Sequence, residues 1–165
     1  MRDHFLQLAD YNIWANNRIH DAADRIGEAA RRRDTGAYFT DLHGTLSHIL
    51  VADRLWMARL EGRAQPHRRL DEVPYDNWGE LRAARAGQDA ATRDFIAGLS
   101  DGEIEDALTY SSLAGTEYAL PRRTILTHMF NHATHHRGQA HHQLRQLGMD
   151  EPPPLDLPYF VLGLA

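Results

Sequence analysis

The stretch Thr127-His128-Met129-Phe130-Asn131-His132-Ala133-Thr134-His135-His136-Arg137-Gly138-Gln139-Ala140 decides how the rest of the chain is read. It carries four of the chain's eleven histidines, and His141 and His142 follow at once. Ile125, Met129, Ala133, Ala140, Leu144 and Leu147 recur at helical spacing. Pro121 suits a first turn and Gly148 a C-terminal cap, so the pattern predicts a helix between them. His132 and His136 lie on or beside its apolar stripe. Four residues apart, they differ by about 40° in azimuth and roughly 6 Å along the axis. Two imidazoles so placed can point at one ion. Inward histidines also serve as hydrogen-bonded core residues, and a His-x-x-x-His pair needs a third ligand from elsewhere in the chain.

Upstream, Leu108-Thr109-Tyr110 and Thr116-Glu117-Tyr118-Ala119-Leu120 flank a turn containing Gly115, which predicts a short β-hairpin. Residues 100–105 are acidic and polar. A third helix is expected over residues 77–97, capped by Asp76 or Asn77 and ended by Gly98. Its apolar face (Trp78, Leu81, Ala84, Gln88, Ala91, Phe95, Ile96) is thin, so it is expected at the periphery. Residues 63–75, with Pro66 and Pro74, read as a loop. A second helix is expected over residues 40–60, with Thr40 or Asp41 as cap and Gly62 as stop. His48 sits at the edge of its core face and is the best third ligand. His43 fits on spacing alone.

The first helix is expected over residues 3–28, its stripe running from Phe5 through Ile13 and Ile19 to Ile26. Asn12, Asn16 and Asn17 interrupt it. Asparagine is a poor helix former, so these residues either pack as a polar group or face water. After the last helix come Pro152-Pro153-Pro154 and an apolar tail, residues 155–162, expected to pack on the bundle or on a second subunit. Four helices of about 20 residues with connections of about 10 to 25 predict an all-α four-helix bundle, one domain over residues 1–165.

Composition narrows the function. With 42% hydrophobic and 25% charged residues and a net charge of −5, the chain reads as a soluble globular protein. Arg31-Arg32-Arg33 and His67-Arg68-Arg69 are short and flanked by acids, so they read as solvated charge and no nucleic-acid partner is expected. No run is long enough to span a membrane and the N-terminus lacks a signal peptide's apolar core, so a cytoplasmic location without membrane association is expected. The chain has no cysteine. That excludes disulfides, thiolate metal sites and a cysteine nucleophile, and leaves nitrogen and oxygen as metal ligands. No glycine-rich phosphate loop or serine-hydrolase elbow is present.

Leu46-Ser47-His48-Ile49, with Trp56 and Leu60-Glu61-Gly62, resembles the second helix of the DinB/YfiT-like metalloenzyme family. The string Asn131-His132-Ala133-Thr134-His135-His136-Arg137-Gly138-Gln139 resembles its fourth. Tyr11-Asn12-Ile13-Trp14-Ala15-Asn16 and Pro152-Pro153-Pro154-Leu155-Asp156 fit as well, so the resemblance spans nearly the whole chain. It implies a four-helix bundle with a short hairpin before the last helix, and a divalent metal held by His48, His132 and His136. Zinc or nickel comes first among the metals, with iron, copper or manganese as alternatives. It also implies a homodimer and, from characterised relatives, a metal-dependent S-transferase or isomerase that uses a low-molecular-weight thiol on a small-molecule substrate.

Two rival readings accompany this one. The first is a metal-dependent hydrolase attacking with water activated at the ion. The second is a non-catalytic bundle stabilised by its metal, or a stress-response binding protein. His135 is expected to face away from the ion and His128 to line the cavity. Arg137 and Gln139 are expected in supporting or packing roles, and Tyr11, Asn12, Asn16 and Gln139 as hydrogen-bonding groups near the mouth. Free imidazole titrates near about 6.5, so metal occupancy is expected to fall between about pH 6 and 5.

Overall fold

The computed structural model describes residues 1–164. In chain order its elements are α1 (Arg2–Ile26), α2 (Glu28–Arg31), α3 (Leu42–Leu60), α4 (Trp78–Gly98), α5 (Asp101–Glu105), β1 (Ala107–Ser111), β2 (Glu117–Pro121), α6 (Arg122–Gln146) and α7 (Leu157–Leu162). α1 packs on α4 and α6, and α3 packs on the same two. The four long helices therefore close a bundle in the order α1, α4, α3, α6. The hairpin is antiparallel, with Ala107 opposite Pro121 and Ser111 opposite Glu117. The Arg122 N–H donates to the Asp106 carbonyl (3.0 Å) and ties the hairpin base to α6.

Local chemistry sets the boundaries. Asp41, not Thr40, caps α3, its carboxylate accepting from the Gly44 N–H at 2.6 Å. Thr40 instead takes φ +68°, a left-handed conformation that costs a β-branched residue on the order of 1–3 kcal/mol. Gly44 is required for a different reason: a Cβ there would collide with the Phe39 carbonyl oxygen. Asn77 caps α4. α5 falls where the sequence reads only as acidic and polar. It starts on a capping box in which the Ser100 hydroxyl accepts from the Glu103 N–H and the Glu103 carboxylate accepts from the Ser100 N–H.

α3 is the central element, buried on nearly every side. α4 is peripheral and buries only Leu81, Arg85, Asp89, Thr92 and Ile96. That face differs from the expected apolar one: Arg85 and Asp89 turn inward, while Ala91 is exposed. They belong to a buried polar layer. Arg85 donates to Asp53 at 2.7 Å and pairs with Asp89 at 2.8 Å. Asn12 and Asn16 donate to Asp89 at 3.1 and 3.0 Å, and Arg137 donates to the amide oxygens of both asparagines. Burial opposes the Arg85 charge, but Asp89 and Asp53 outweigh it and hold its pKa above the usual value. All four long helices contribute to the layer. One apolar cluster, around Ile19, Leu42, Leu50, Leu81 and Leu144, fills one side of it. Another, around Phe5, Met57, Ile96, Leu126 and Phe130, fills the other.

Arg31 also corrects its expected solvated role. It is buried, donates to the Ala23 carbonyl at 2.9 Å and lies 4.5 Å from the Trp78 ring. The tail packs on α1: the Tyr11 hydroxyl donates to the Leu155 carbonyl at 2.6 Å, and Phe160 meets Tyr11 and Trp14. Among the described residues, no helix is long and apolar enough to cross a membrane.

Candidate metal centre

His48 enters from α3, and His132 and His136 enter from successive turns of α6. Their Nε2 atoms converge, with His48 3.2 Å from His132 and 3.1 Å from His136. Nitrogen ligands about 2.0–2.1 Å from a tetrahedral ion stand about 3.3 Å apart. The cluster therefore has the dimensions of a site able to take a metal ion.

The outer nitrogens are committed. His48 Nδ1 donates to the Leu70 carbonyl at 2.8 Å, and His136 Nδ1 donates to Gln139 Oε1 at 2.8 Å. Each Nε2 of that pair then carries its lone pair inward. Two lone pairs facing across 3.1 Å repel unless a cation lies between them. A proton is a poor candidate near neutrality. Burial, with the like charges of His136 and His48, lowers His132 to about 3, and burial lowers His136 to about 4 against the opposing Gln139 hydrogen bond. Burial also lowers His48, with the Leu70 bond opposing. The donor set thus fits a divalent metal better than it fits protons.

Phe39 completes the wall. Its ring stacks on His48 at 4.0 Å between centroids and meets His136 edge-on at 5.7 Å. The strained Thr40 and the Cβ-free Gly44 place it there. His132 and His136 are partly exposed, so one side of the cluster faces outward. Among the described residues no fourth His, Asp or Glu joins it.

Other expected residues fall elsewhere. His43 is fully buried, its Nε2 2.7 Å from the Tyr75 carbonyl, outside the cluster. Asn12, Asn16 and Arg137 serve the polar layer rather than the mouth, and Tyr11 binds the tail and lies 5.5 Å from the Arg137 guanidinium. Gln139 does support the site. His135 is exposed, with its Nε2 3.2 Å from the Gln139 amide nitrogen. His128 lies 5.6 Å from His132 and 5.1 Å from Trp56. Sequence reasoning missed Phe39 and the Leu70 carbonyl. Nothing in the sequence marks a backbone carbonyl as a histidine's partner.

A four-helix bundle with a hairpin before its last helix, and three imidazoles converging from two helices, define a class of bundle proteins with a histidine centre. The chain belongs to the DinB family, whose profile matches residues 1–161. It is 23% identical to Protein DinB of Bacillus subtilis (strain 168) over 157 residues, 93% of this chain and 91% of that protein. The crystal structure of a DinB-like protein, YjoA, from Bacillus subtilis matches with a TM-score of 0.67 at 18% identity. That match covers 91% of this chain and 98% of the other, and it shows the shared fold.

Proposed function

We propose that His48, His132 and His136 hold one divalent metal ion, zinc or nickel first, in an enzyme that joins a low-molecular-weight thiol to a small electrophile. The observation that carries this reading is the convergence of three Nε2 atoms while the outer nitrogens of His48 and His136 are spoken for. A metal ion bound there lowers the pKa of a thiol or water and polarises an acceptor. The chain's own residues keep the imidazoles neutral, fix their ring planes through Leu70, Gln139 and Phe39, and leave one side open. The thiol would give up its proton to solvent, its sulfur would form a bond to carbon, and the displaced group would leave with the electron pair of the bond that breaks and take up a proton from solvent.

In the thiol reading the sulfur comes from outside, because the chain has no cysteine. The open side argues against a purely structural metal, whose site is normally closed.

The test is elemental analysis of protein purified without a metal-affinity tag, then turnover of a chromogenic electrophile with a panel of thiols against a metal-free control. One ion per chain is expected, lost on alanine replacement of any of the three histidines and kept in His135→Ala. Unchanged metal content in His48→Ala removes the site. Turnover of an ester with water alone, and none with thiols, transfers the assignment to the hydrolase.

A further inference from the structure

The Leu70 carbonyl that accepts from His48 lies where the regular elements give it no support. It belongs to the connection between α3 and α4, residues 61–77. Among the described residues, no hydrogen bond joins two backbone groups within residues 64–76. The Leu70 side chain is 49% exposed, so packing does not fix its carbonyl either. Arg69 pairs with Asp71 at 2.9 Å, but both side chains are exposed and such a pair contributes little.

One carboxylate supplies what the backbone does not. Glu72 Oε1 accepts from the Arg68 N–H at 2.8 Å and from the Arg69 N–H at 3.0 Å, which closes residues 68–72 into a single turn with Leu70 at its middle. The other oxygen, Oε2, accepts from His67 Nδ1 at 2.8 Å. His67 is buried and its Nε2 has no partner among the described residues, so this bond is the ring's one polar tie. The bonds from His67, Arg68 and Arg69 hold the Glu72 carboxyl below its usual pKa, against its partial burial. Bonds to an ionised acceptor are stronger than neutral ones, so the turn has a firm clasp.

His48 depends on where that turn puts its carbonyl. Phe39 stacks on the imidazole and fixes its plane. A ring can still turn over within its plane, by half a turn about Cβ–Cγ, which exchanges Nε2 for a carbon. The Leu70 carbonyl decides between the two orientations, because it bonds Nδ1 and sets the proton there. Nε2 is then left bare and inward, 3.2 and 3.1 Å from its counterparts on His132 and His136. His136 takes the same support from Gln139 on its own helix. His48 takes it from a loop.

We propose that Glu72 is a positioning residue for the metal centre: with His67 it braces the turn that offers the Leu70 carbonyl to His48, and so keeps the His48 Nε2 lone pair available to a metal ion. The proposal rests on the three-histidine reading above. Glu72 acts through the backbone rather than as a ligand, since it is not among the residues whose donor atoms converge.

The test replaces Glu72 twice. Glu72→Ala removes the brace. Glu72→Gln removes the charge but keeps an oxygen for the two N–H groups, so it separates geometry from a carboxylate's attraction for a cation. Zinc affinity is measured by competition with a fluorescent chelator. The His48 tautomer is read in the metal-free protein from the NMR shifts of its ring nitrogens, identified by their loss in His48→Gln. Glu72 is partly exposed in a loop, so both variants should keep the native helical circular dichroism. Glu72→Ala should bind zinc about 10- to 100-fold more weakly, with the His48 proton redistributed between Nδ1 and Nε2. Glu72→Gln should lose less than about threefold and keep that proton on Nδ1. Native zinc affinity or an unmoved His48 tautomer in Glu72→Ala overturns the proposal, and so does a loss in Glu72→Gln as large as in Glu72→Ala. Wild-type protein that binds no zinc, but whose His48 tautomer shifts in Glu72→Ala, sinks the three-histidine reading and leaves the brace standing.

Discussion

Acid should spare the metal centre to a lower pH than free histidine chemistry allows. Binding a metal requires neutral imidazole. A histidine titrating near about 6.5 is only about 3% neutral at pH 5, so two such ligands would lose affinity on the order of 1000-fold between pH 7.5 and 5. Burial and neighbouring like charges lower His132 to about 3, and burial lowers His136 to about 4. At those values the rings stay about 99% and about 90% neutral at pH 5, and the loss from these two is below about 1.3-fold. Both rings are partly exposed, and solvent screening trims such shifts, so the expected fall is under about tenfold. This moves the expected loss of occupancy, read from free histidine at pH 6 to 5, to lower pH. The assay is competition for zinc against a fluorescent chelator calibrated at each pH. A hundredfold or greater fall between pH 7.5 and 5 would refute the reasoning.

The fold makes three further predictions. Gly44→Ala should lose more through collision with the Phe39 carbonyl than the about 1 kcal/mol that helix propensity gains. It should cost about 1–3 kcal/mol and, by shifting Phe39 off His48, weaken metal binding about tenfold or more; a stabilised variant with native affinity contradicts this. Asp89→Ala leaves Arg85 paired only with Asp53 and should cost about 3–5 kcal/mol in urea unfolding; a cost below about 1 kcal/mol contradicts it. His20 is buried against Trp78 and lowered to about 3, chiefly by burial and then by Arg85 and Arg82. Its folded pKa lies below the unfolded one, so its contribution is complete above pH 6.5 and is lost as pH falls from there toward 3. By pH 4.5 the loss is on the order of 3 kcal/mol, two pH units at about 1.36 kcal/mol each. His20→Phe should flatten that slope, and an unchanged acid profile would assign it elsewhere.

The sequence carried the bundle because its apolar residues keep helical period over Phe5–Ile26, Leu42–Leu60 and Ile125–Leu147. His132 and His136 were legible for the same reason, since four residues is a fixed step on a helix. His48 ranked above His43 by its place at the edge of the core face, and resemblance supported that choice; His43 fits on spacing but is spent on the Tyr75 carbonyl. Of the polar layer only the asparagines of α1 were legible, as a group that could pack among polar partners. Arg85 and Asp89 fall outside the apolar face expected for their helix because charged residues are rarely buried, and only their neighbours on three other helices reverse that rule. α5 was available in principle: Ser100 and Glu103 have capping-box spacing, but the segment lacks an apolar stripe. The wall of the centre lay beyond sequence reasoning because it depends on Thr40 adopting positive φ.

The polar layer bears directly on the metal centre. Arg137 follows His136 and points about 100° away from it around α6. Its guanidinium is held by Asn12 and Asn16 of α1, and through them by Asp89 and Arg85 of α4. On the other side, His136 meets the edge of the Phe39 ring, which comes from outside α6. One turn of α6 is therefore fixed from two directions. The Nε2 of a helical histidine lies about 7 Å from the helix axis, so a rotation of about 20° moves it by about 2.5 Å. A separation of 3.1 Å between His48 and His136 could not survive that error. Leucines in place of the layer could bury as much surface, but an apolar contact tolerates rotation in a way that a bonded guanidinium does not. The buried charges are therefore better understood as setting the azimuth of α6 than as adding stability. That accounts for a chain keeping four buried charges within a bundle whose apolar clusters already join its helices.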